Sequence, residues 1–323
     1  EIPNDVDLAI LAVPNSAVPS SLELLARRGV RSAIICSGGF AELQTNEGRD
    51  LQGQVDAIAH KYGIRVLGPN TAGMAIPHLN LHASFVPAVT QLTPGSVAVV
   101  AQSAGVAHAA ALALQQEGLG VGLMIGVGNA CDIDLPELIQ ATALNGQYDA
   151  IAVYLEGTAH GSELLEAIRK SSREVPVVVL KSGISDVDRL TVSHTGAIAG
   201  DWAVAQSLLT EAGAVVVSTL GDLINSIAAL SLIRLHQSGT PTTKGVGVVT
   251  GQAGPGVLLT DRLQTLGLEV PPFESTVEGE LRSLLPPMTH RQNPVDTGRP
   301  SDTFANVIAT VAKDPGIDVV ATY

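Results

Sequence analysis

Short apolar segments alternate with segments of helical spacing in the first part of the chain. Residues 8–13, 32–36 and 64–67 are largely apolar, and proline, serine or glycine follows each of them. Residues 18–28 and 51–62 place apolar positions three and four residues apart, as in an amphipathic helix. Apolar strands that alternate with helices are typical of a parallel sheet covered on both faces. The pattern therefore predicts an α/β fold of the doubly wound type.

The alternation continues beyond residue 95 and predicts further domains of the same class. The middle of the chain has predicted strands at 96–100, 122–125, 150–155, 175–180 and 214–217. An irregular, proline-containing stretch at 76–94 reads as one linker, and a stretch rich in serine, glycine and threonine at 237–243 reads as another. We therefore divide the chain into three domains, at residues 1–92, 93–238 and 243–323.

The third domain repeats the beginning of the second. Residues 97–121 align without a gap on 246–270, at an offset of 149, over a strand, a glycine turn, a helix and the next strand. Each copy has a glycine, Gly105 or Gly254, where the helix begins. Free N–H groups and the helix dipole make such a helix end favourable for a bound anion. We expect the two helix ends to face one another and to hold a phosphate between them.

Composition limits the classes of function. The chain of 323 residues has a net charge of −13, so it lacks the basic surplus that non-specific binding of nucleic acid requires. Two cysteines, Cys36 and Cys131, fit a reducing compartment, and we expect a cytoplasmic protein. No apolar run reaches the roughly 18 residues of a membrane span, and we expect no membrane partner. Both ends read as cuts through domains, which predicts a longer polypeptide.

His194 is the first candidate for a chemical role. It lies in Ser193-His194-Thr195-Gly196-Ala197, between small residues that would leave the imidazole accessible to a large ligand. Imidazole can act as a nucleophile, a base or a metal ligand near neutral pH. On this motif alone, a loop histidine that bonds only to its neighbours is the simpler interpretation.

Five motifs in order along the chain carry a resemblance to a known family. They are Gly68-Pro69-Asn70-Thr71-Ala72-Gly73, Gln102-Ser103, the segment from Gly126 to Asp134, the His194 motif and Asn293-Pro294-Val295-Asp296. Together they resemble the nucleoside-diphosphate-forming acyl-CoA synthetases, such as the ADP-forming acetate–CoA ligases, and more distantly the succinyl-CoA synthetases. The resemblance covers essentially the whole chain. It implies a partial Rossmann-like CoA-binding domain followed by two flavodoxin-like domains.

The resemblance also implies a role for individual residues. His194 would be a phosphohistidine, formed from an acyl phosphate and discharged to a nucleoside diphosphate, and Glu156 would hold its ring. The phosphoryl group would bind at two helix ends, formed by Ser103, Ala104, Gly105, Ala253 and Gly254. The acyl group would bind near Gly128, Asn129 and His108. Coenzyme A would bind near Val13, Pro14, Cys36, Ser37, Gly38 and Asn70.

The family pattern is incomplete in this chain. The first βα unit, which carries a glycine loop for the CoA phosphates, would have to precede Glu1. The Mg-nucleotide, ADP or ATP, would bind an ATP-grasp domain that this sequence does not contain, so we expect such a domain or subunit as a partner, within an oligomer. Relatives commonly have Gln-Ser-Gly where this chain has Gln102-Ser103-Ala104-Gly105, and Ala104 could narrow the approach of a phosphate.

Other interpretations remain open. Asp132 and Asp134 could suggest a metal pair, but carboxylates just before a Leu-Pro-Glu helix start more often cap the helix, and we expect no metal site. A CoA- or acyl-CoA-sensing module of the same ancestry, such as the regulatory part of an acetyltransferase, is the main alternative to a ligase. A nicotinamide-dependent dehydrogenase would need a G-x-G-x-x-G turn after a strand, which is absent. The sequence does not define the acyl group, nor the choice between ADP and GDP.

Overall fold

The computed structural model describes residues 6–183, 202–236, 245–299 and 302–323. Helices alternate with parallel strands, and the predicted α/β fold class is confirmed. The chain forms two compact units, at residues 1–236 and 237–323. Within the described ranges, no helix combines the length and the hydrophobicity needed to cross a bilayer.

A three-stranded parallel sheet in the order β1-β2-β3 begins the first unit. Its elements are β1 (Leu8–Leu11), α1 (Val18–Arg27), β2 (Ser32–Ile35), α2 (Asn46–Tyr62) and β3 (Arg65–Leu67). The α2 helix begins where the Thr45 hydroxyl accepts a hydrogen bond from the N–H of Gly48, at 3.0 Å. It ends at Gly63, whose φ of +68° is accessible to glycine at little cost. The two caps fix where α2 begins and ends, which explains why the chain turns back and forms β3 directly after the helix.

The second sheet has seven strands in the order β10-β9-β8-β6-β7-β4-β5. Its strands are β4 (Met74–Ile76), β5 (Leu81–Ala83), β6 (Val97–Ala101), β7 (Val121–Gly126), β8 (Ala150–Leu155), β9 (Val177–Lys181) and β10 (Val215–Val217). Its helices are α3 (Ala104–Gln116), α4 (Leu135–Asn145), α5 (Gly161–Ser171), α6 (Trp202–Glu211) and α7 (Leu220–His236). From β6 to β10 the strands are parallel, and β4 and β5 pair antiparallel at one edge.

The interpretation of residues 76–94 as a linker is wrong for its first part. β4 pairs with β7 through Met74 and Ala75, and β5 extends the sheet by one more strand. Each of these strands has three residues, which is too short to show an alternating pattern in the sequence. The chain therefore contributes to the second sheet before β6 begins.

Both faces of the second sheet are buried, as a doubly wound fold requires. Along β6, Ala98 and Val100 belong to one hydrophobic cluster, whereas Val97 and Val99 belong to another. Alternate residues of a strand point to opposite faces, so the two clusters are the two sides of the sheet. The first cluster also contains Ile34 of β2 and Leu67 of β3, which joins the first sheet to the second.

The second unit contains a three-stranded parallel sheet in the order β12-β11-β13. Its elements are β11 (Val246–Thr250), α8 (Ala253–Thr265), α9 (Ser275–Leu284), β12 (Val295–Asp296), α10 (Phe304–Val311) and β13 (Val319–Thr322). Asn293, from the last motif of the family pattern, fixes β11 by accepting from Val248 N–H and donating to the carbonyl of Val246. That motif therefore has a structural role within this unit.

The internal repeat is confirmed at the level of elements. β6 and β11, and likewise α3 and α8, begin and end at positions separated by the predicted offset of 149. The two copies diverge after the helix. β7 is a full strand, whereas its counterpart pairs only through a single bridge between Gly245 and Glu269.

Candidate functional site

A cavity of about 510 Å³ lies in the first unit, at the carboxyl ends of β2, β3, β6 and β7. Ligands of parallel sheets bind at this edge. Thr71 joins two of the surrounding loops, because its buried hydroxyl donates to the carbonyl of Gly126. Eight of the predicted site residues line the cavity, namely Cys36, Asn70, Ser103, Ala104, Gly105, His108, Gly128 and Asn129.

The beginning of α3 offers hydrogen-bond donors to this cavity. Ser103 caps the helix through its hydroxyl, which accepts from Val106 N–H at 3.5 Å. In the part of the chain that the structure describes, the N–H groups of Ala104 and Gly105 have no hydrogen-bond partner. A Cβ added at Gly105 would meet only the Ser103 hydroxyl, at 3.7 Å, so this helix end is open. Its geometry is suited to an anion.

Ala104 lies tightly against the end of β7. A Cβ added at Gly126 would come within 2.7 Å of the Ala104 Cβ, so the alanine is accommodated only because its neighbour is a glycine. Ala104 thus contributes both a methyl group to the fold and a free N–H to the cavity. The narrower approach of a phosphate expected from this alanine stays a prediction.

The loop after β7 contributes acceptors to the cavity. Gly128 has a φ of +67°, and its N–H donates to the carbonyl of Gln102 at 3.3 Å. The N–H of Asn129 donates to the carbonyl of Pro69 at 2.9 Å. Both backbone donors are therefore used within the fold, and the free backbone donors described for this cavity are those at the beginning of α3.

A polar network that sequence analysis missed holds the Asn129 side chain. Its Nδ2 donates to Glu42 Oε2 at 2.6 Å and to Gln52 Oε1 at 3.0 Å. Glu42 also accepts from the N–H groups of Gly39 and Phe40. Burial opposes the ionisation of Glu42, but these hydrogen bonds outweigh it and lower its pKa below the ordinary value. Glu42 could have been suspected from its place just after a strand-end glycine pair.

His108 lies on the first turns of α3 and is only 8% exposed. Its Nδ1 lies 2.5 Å from the carbonyl oxygen of Ala104. Because a carbonyl can only accept, Nδ1 carries the proton and Nε2 presents a lone pair. Among the described residues, Nε2 is buried and has no hydrogen-bond partner. His108 therefore lies at the cavity wall with Nδ1 bonded to its own helix and Nε2 unpaired among the described residues.

Glu156 follows β8 and is 6% exposed. Its backbone is held from both sides, since its N–H donates to Gln102 Oε1 at 2.5 Å and Lys181 Nζ donates to its carbonyl at 2.9 Å. Burial lowers the pKa of Lys181, and the charge of Glu156 partly opposes that shift. Among the described residues, Glu156 Oε2 is buried without a partner. A buried carboxylate oxygen that remains unpaired there is available for a further donor.

Two carboxylates beside this region have structural partners. Asp134 caps α4 by accepting from Glu137 N–H at 3.1 Å, as the sequence indicates. Asp132 instead accepts from Val66 N–H at 2.7 Å and from Arg65 Nε at 3.0 Å. The same guanidinium binds Glu137 through two hydrogen bonds. These contacts attach the loop after β7 to β3.

Comparison with known proteins gives the family. Residues 94–230 match the succinyl-CoA ligase like flavodoxin domain, and residues 246–323 match the ligase-CoA domain. Over 323 residues the chain is 33% identical to the α subunit of acetate–CoA ligase [ADP-forming] II from Pyrococcus furiosus, covering 99% of this chain and 68% of that protein. The chain belongs to the ADP-forming acetate–CoA ligase family. The resemblance inferred from the five motifs is thereby confirmed.

Two further proteins similar to this chain are named for different acyl groups. The 4-hydroxybutyrate–CoA ligase [ADP-forming] of Nitrosopumilus maritimus is 28% identical over 99% of this chain, which spans 48% of that protein. A solved structure of acetyl-coenzyme A synthetase 1 from Ca. Korarchaeum cryptofilum, in complex with phosphate and ADP, superposes with a TM-score of 0.90. That protein is 28% identical, and the match covers all of this chain and 68% of the other.

The other CoA-site residues expected from the family pattern are not among those that line the cavity. Ser37 donates through its hydroxyl to the carbonyl of Val13, and a Cβ at Gly38 would lie 3.2 Å from Asn70 Oδ1. With Pro14, these residues border the carboxyl edge of the first sheet. Ala253 and Gly254 begin α8 in the second unit. His194 lies outside the described residues.

Proposed function

We propose that this chain is the CoA- and histidine-bearing part of an ADP-forming acyl-CoA ligase. The reaction would interconvert acyl-CoA, phosphate and ADP with a carboxylic acid, coenzyme A and ATP. One observation carries the proposal: a single cavity joins the strand ends of the first sheet, at Cys36 and Asn70, to the open helix end at Ala104 and Gly105. A thioester and a phosphate could meet there.

In the first step, phosphate held by the N–H groups of Ala104 and Gly105 attacks the thioester carbonyl. The C–S bond breaks, the thiol of coenzyme A leaves with a proton, and an acyl phosphate remains. Preorganised backbone donors suit this step, because their N–H groups stabilise the negative charge on the phosphate oxygens without a nearby cation. Burial raises the pKa of the Cys36 thiol, so this residue stays protonated beside the leaving thiol.

In the second step, an imidazole nitrogen of His194 attacks the phosphorus of the acyl phosphate. The P–O bond to the acyl oxygen breaks and the carboxylic acid is released as its anion. Glu156 would accept from the other ring nitrogen, which fixes the tautomer and stabilises the cationic phosphohistidine. The unpaired, buried Oε2 of Glu156 supports this assignment.

In the third step, the phosphoryl group passes from His194 to ADP. We assign the Mg-nucleotide to an ATP-grasp domain or subunit that would act with this chain. Ala253 and Gly254, at the beginning of α8, would provide a second helix end for the phosphoryl group. A Cβ added at Gly254 would have no neighbour within 4 Å inside its unit, which supports an open helix end.

The acyl group would lie near His108, Gly128 and Asn129. His108 would accept a hydrogen bond through Nε2. Acetate is the first acid to test, because it is named for the relative with 33% identity. Longer acids are the next, because the relative from Nitrosopumilus maritimus is named for 4-hydroxybutyrate.

The test is phosphoryl transfer to His194. The chain is mixed with an ATP-grasp subunit of an ADP-forming ligase and γ-labelled ATP, and the label is mapped by mass spectrometry. We expect label on His194 that acetate and coenzyme A discharge, and no label in His194→Ala. The exposed His60 provides a matched control, His60→Ala, which should be labelled normally. Coenzyme A binding without any labelling would favour the sensing module instead.

A further inference from the structure

Hydrogen bonds fix the orientation of the Asn129 side-chain amide at the cavity. Both hydrogens of its amide are used, by Glu42 Oε2 at 2.6 Å and by Gln52 Oε1 at 3.0 Å. A carboxylate can only accept, so the nitrogen must face Glu42 and the oxygen must face the other way. There, Asn129 Oδ1 accepts from Asn70 Nδ2 at 3.3 Å. Asn70 and Asn129 both line the cavity.

The two asparagines form a donor next to an acceptor. Asn129 Oδ1 retains a second lone pair, and Asn70 Nδ2 retains a second hydrogen. A secondary amide is complementary to this pair, because it can donate its N–H to Asn129 and accept at its carbonyl from Asn70. Among the described residues that line the cavity, none is lysine or arginine. Near the two asparagines the lining therefore offers an uncharged donor and acceptor, whereas the N–H groups that suit an anion lie at the beginning of α3.

We propose that Asn70 and Asn129 read an amide of the pantetheine arm of coenzyme A, and that Glu42 is the positioning residue that sets their polarity. This inference rests on the proposed function, because coenzyme A must enter the cavity. The pantetheine arm is uncharged and carries two secondary amides, whereas the nucleotide end of coenzyme A carries the phosphates. Glu42 acts through Asn129 and need not touch the ligand.

Replacing Glu42 with glutamine tests the polarity directly. The new amide has one acceptor oxygen, which the N–H groups of Gly39 and Phe40 would retain, and its nitrogen would then face Asn129. Asn129 would satisfy that nitrogen only by turning its oxygen inward, where the oxygen would meet the acceptor Gln52 Oε1. Neither orientation of the amide keeps both contacts, so Asn129 Oδ1 would no longer be held toward the cavity to accept from the ligand's N–H.

The measurement is calorimetric binding to the full chain. We expect Glu42→Gln to bind coenzyme A about tenfold more weakly, which corresponds to the loss of one hydrogen bond between the ligand and Asn129. Inorganic phosphate, which would bind at the beginning of α3 and lacks the pantetheine arm, should bind equally to both proteins. Glu47→Gln removes the same charge from an exposed position on α2 and should bind both ligands normally. An equal loss for the two ligands would overturn the proposal.

A double-mutant cycle separates Asn129 from the backbone contacts of Glu42. In an Asn129→Ala background, Glu42→Gln should weaken coenzyme A binding no further. A tenfold loss in that background would show that Glu42 acts through the loop of Gly39 and Phe40, and the proposal would be wrong. Thermal unfolding of each variant checks that it is folded.

A second variant keeps the test usable if Glu42→Gln does not fold. Gln52→Leu removes the other acceptor of Asn129 and leaves the Glu42 contacts with Gly39 and Phe40 in place. It should weaken binding of coenzyme A but not of inorganic phosphate, and unchanged binding of coenzyme A would count against the proposal. Wild-type protein that binds no coenzyme A would instead refute the proposed function.

Discussion

Gln102 connects the two chemical regions of the first unit. Its Oε1 accepts from the N–H groups of Glu156 and Gly157, and its Nε2 donates to the carbonyl of Gly157. Its own carbonyl accepts from Gly128 at the cavity. One side chain thus fixes the loop that carries Glu156, and its backbone supports the loop that carries Asn129. Gln102 is a positioning residue for Glu156.

Gln102→Leu keeps a similar volume and removes the three side-chain hydrogen bonds. We expect the rate of His194 labelling to fall by about 10²-fold, since a small displacement of a positioned group can cost that much. Coenzyme A affinity should change much less, because the backbone contact with Gly128 remains. Labelling rate and calorimetric affinity are measured together. Gln54→Leu, at an exposed position of α2, is the control, and equal losses in rate and affinity would contradict a role through Glu156.

Site residues were predictable to the extent that short motifs mark them. Ser103 and Gly128 lie in turns that directly follow strands, and Gly105 lies in the first turn of the helix after Ser103, so their place at a sheet edge follows from the local pattern. Glu42 follows a strand-end glycine pair, but neither its contact with Asn129 nor that of Gln52 was predictable in this way. Both residues meet Asn129 across 87 and 77 positions of the chain, and only the packing of the first sheet on the second brings them together.

At the scale of elements, glycine geometry determines how closely the loops approach. Gly128 and Gly146 have nearly the same backbone conformation, with φ of +67° and +70°. Their surroundings differ. A Cβ at Gly128 would lie 2.3 Å from the carbonyl oxygen of Pro69, whereas a Cβ at Gly146 would have no neighbour within 4 Å. The first glycine is required by both conformation and space, and the second by conformation alone.

This difference predicts two distinct effects of alanine. Gly146→Ala should lower the free energy of unfolding by about 1 kcal/mol, the cost of a left-handed conformation for a residue with a Cβ. Gly128→Ala should cost about 2–4 kcal/mol, because the loop after β7 must also move away from Pro69. Urea unfolding of both variants measures the difference. Similar values for the two would show that the loop adjusts freely, contrary to the geometry.

Elements with a strong periodic pattern were predictable, and weak ones were not. The repeat of β6 and α3 in β11 and α8 could be read from the sequence, because identical residues recur at strand and helix positions. β4 and β5 could not be read, since three-residue strands show no period. Their pairing depends on β7, which lies about fifty residues further along the chain.

At the scale of the whole molecule, the proposed chemistry is divided between the two units. The cavity, Glu156 and the free N–H groups of α3 all belong to residues 1–236, whereas Ala253 and Gly254 begin α8 in residues 237–323. Each unit has its own hydrophobic cluster. Binding of coenzyme A and transfer of the phosphoryl group should therefore respond differently to removal of the second unit.

A fragment of residues 1–236 should bind coenzyme A with the affinity of the full chain, within about threefold, because every described residue that lines the cavity lies inside it. Labelling of His194 should fall by at least about tenfold, since one of the two proposed helix ends for the phosphoryl group is gone. Calorimetry and labelling are compared on the fragment and the full chain, with thermal unfolding to show that the fragment is folded.

Full labelling of a folded fragment would mean that Ala253 and Gly254 have no part in the transfer. A folded fragment that has lost coenzyme A binding would mean that the site extends into the second unit. The repeat would then matter for binding as well as for phosphoryl transfer.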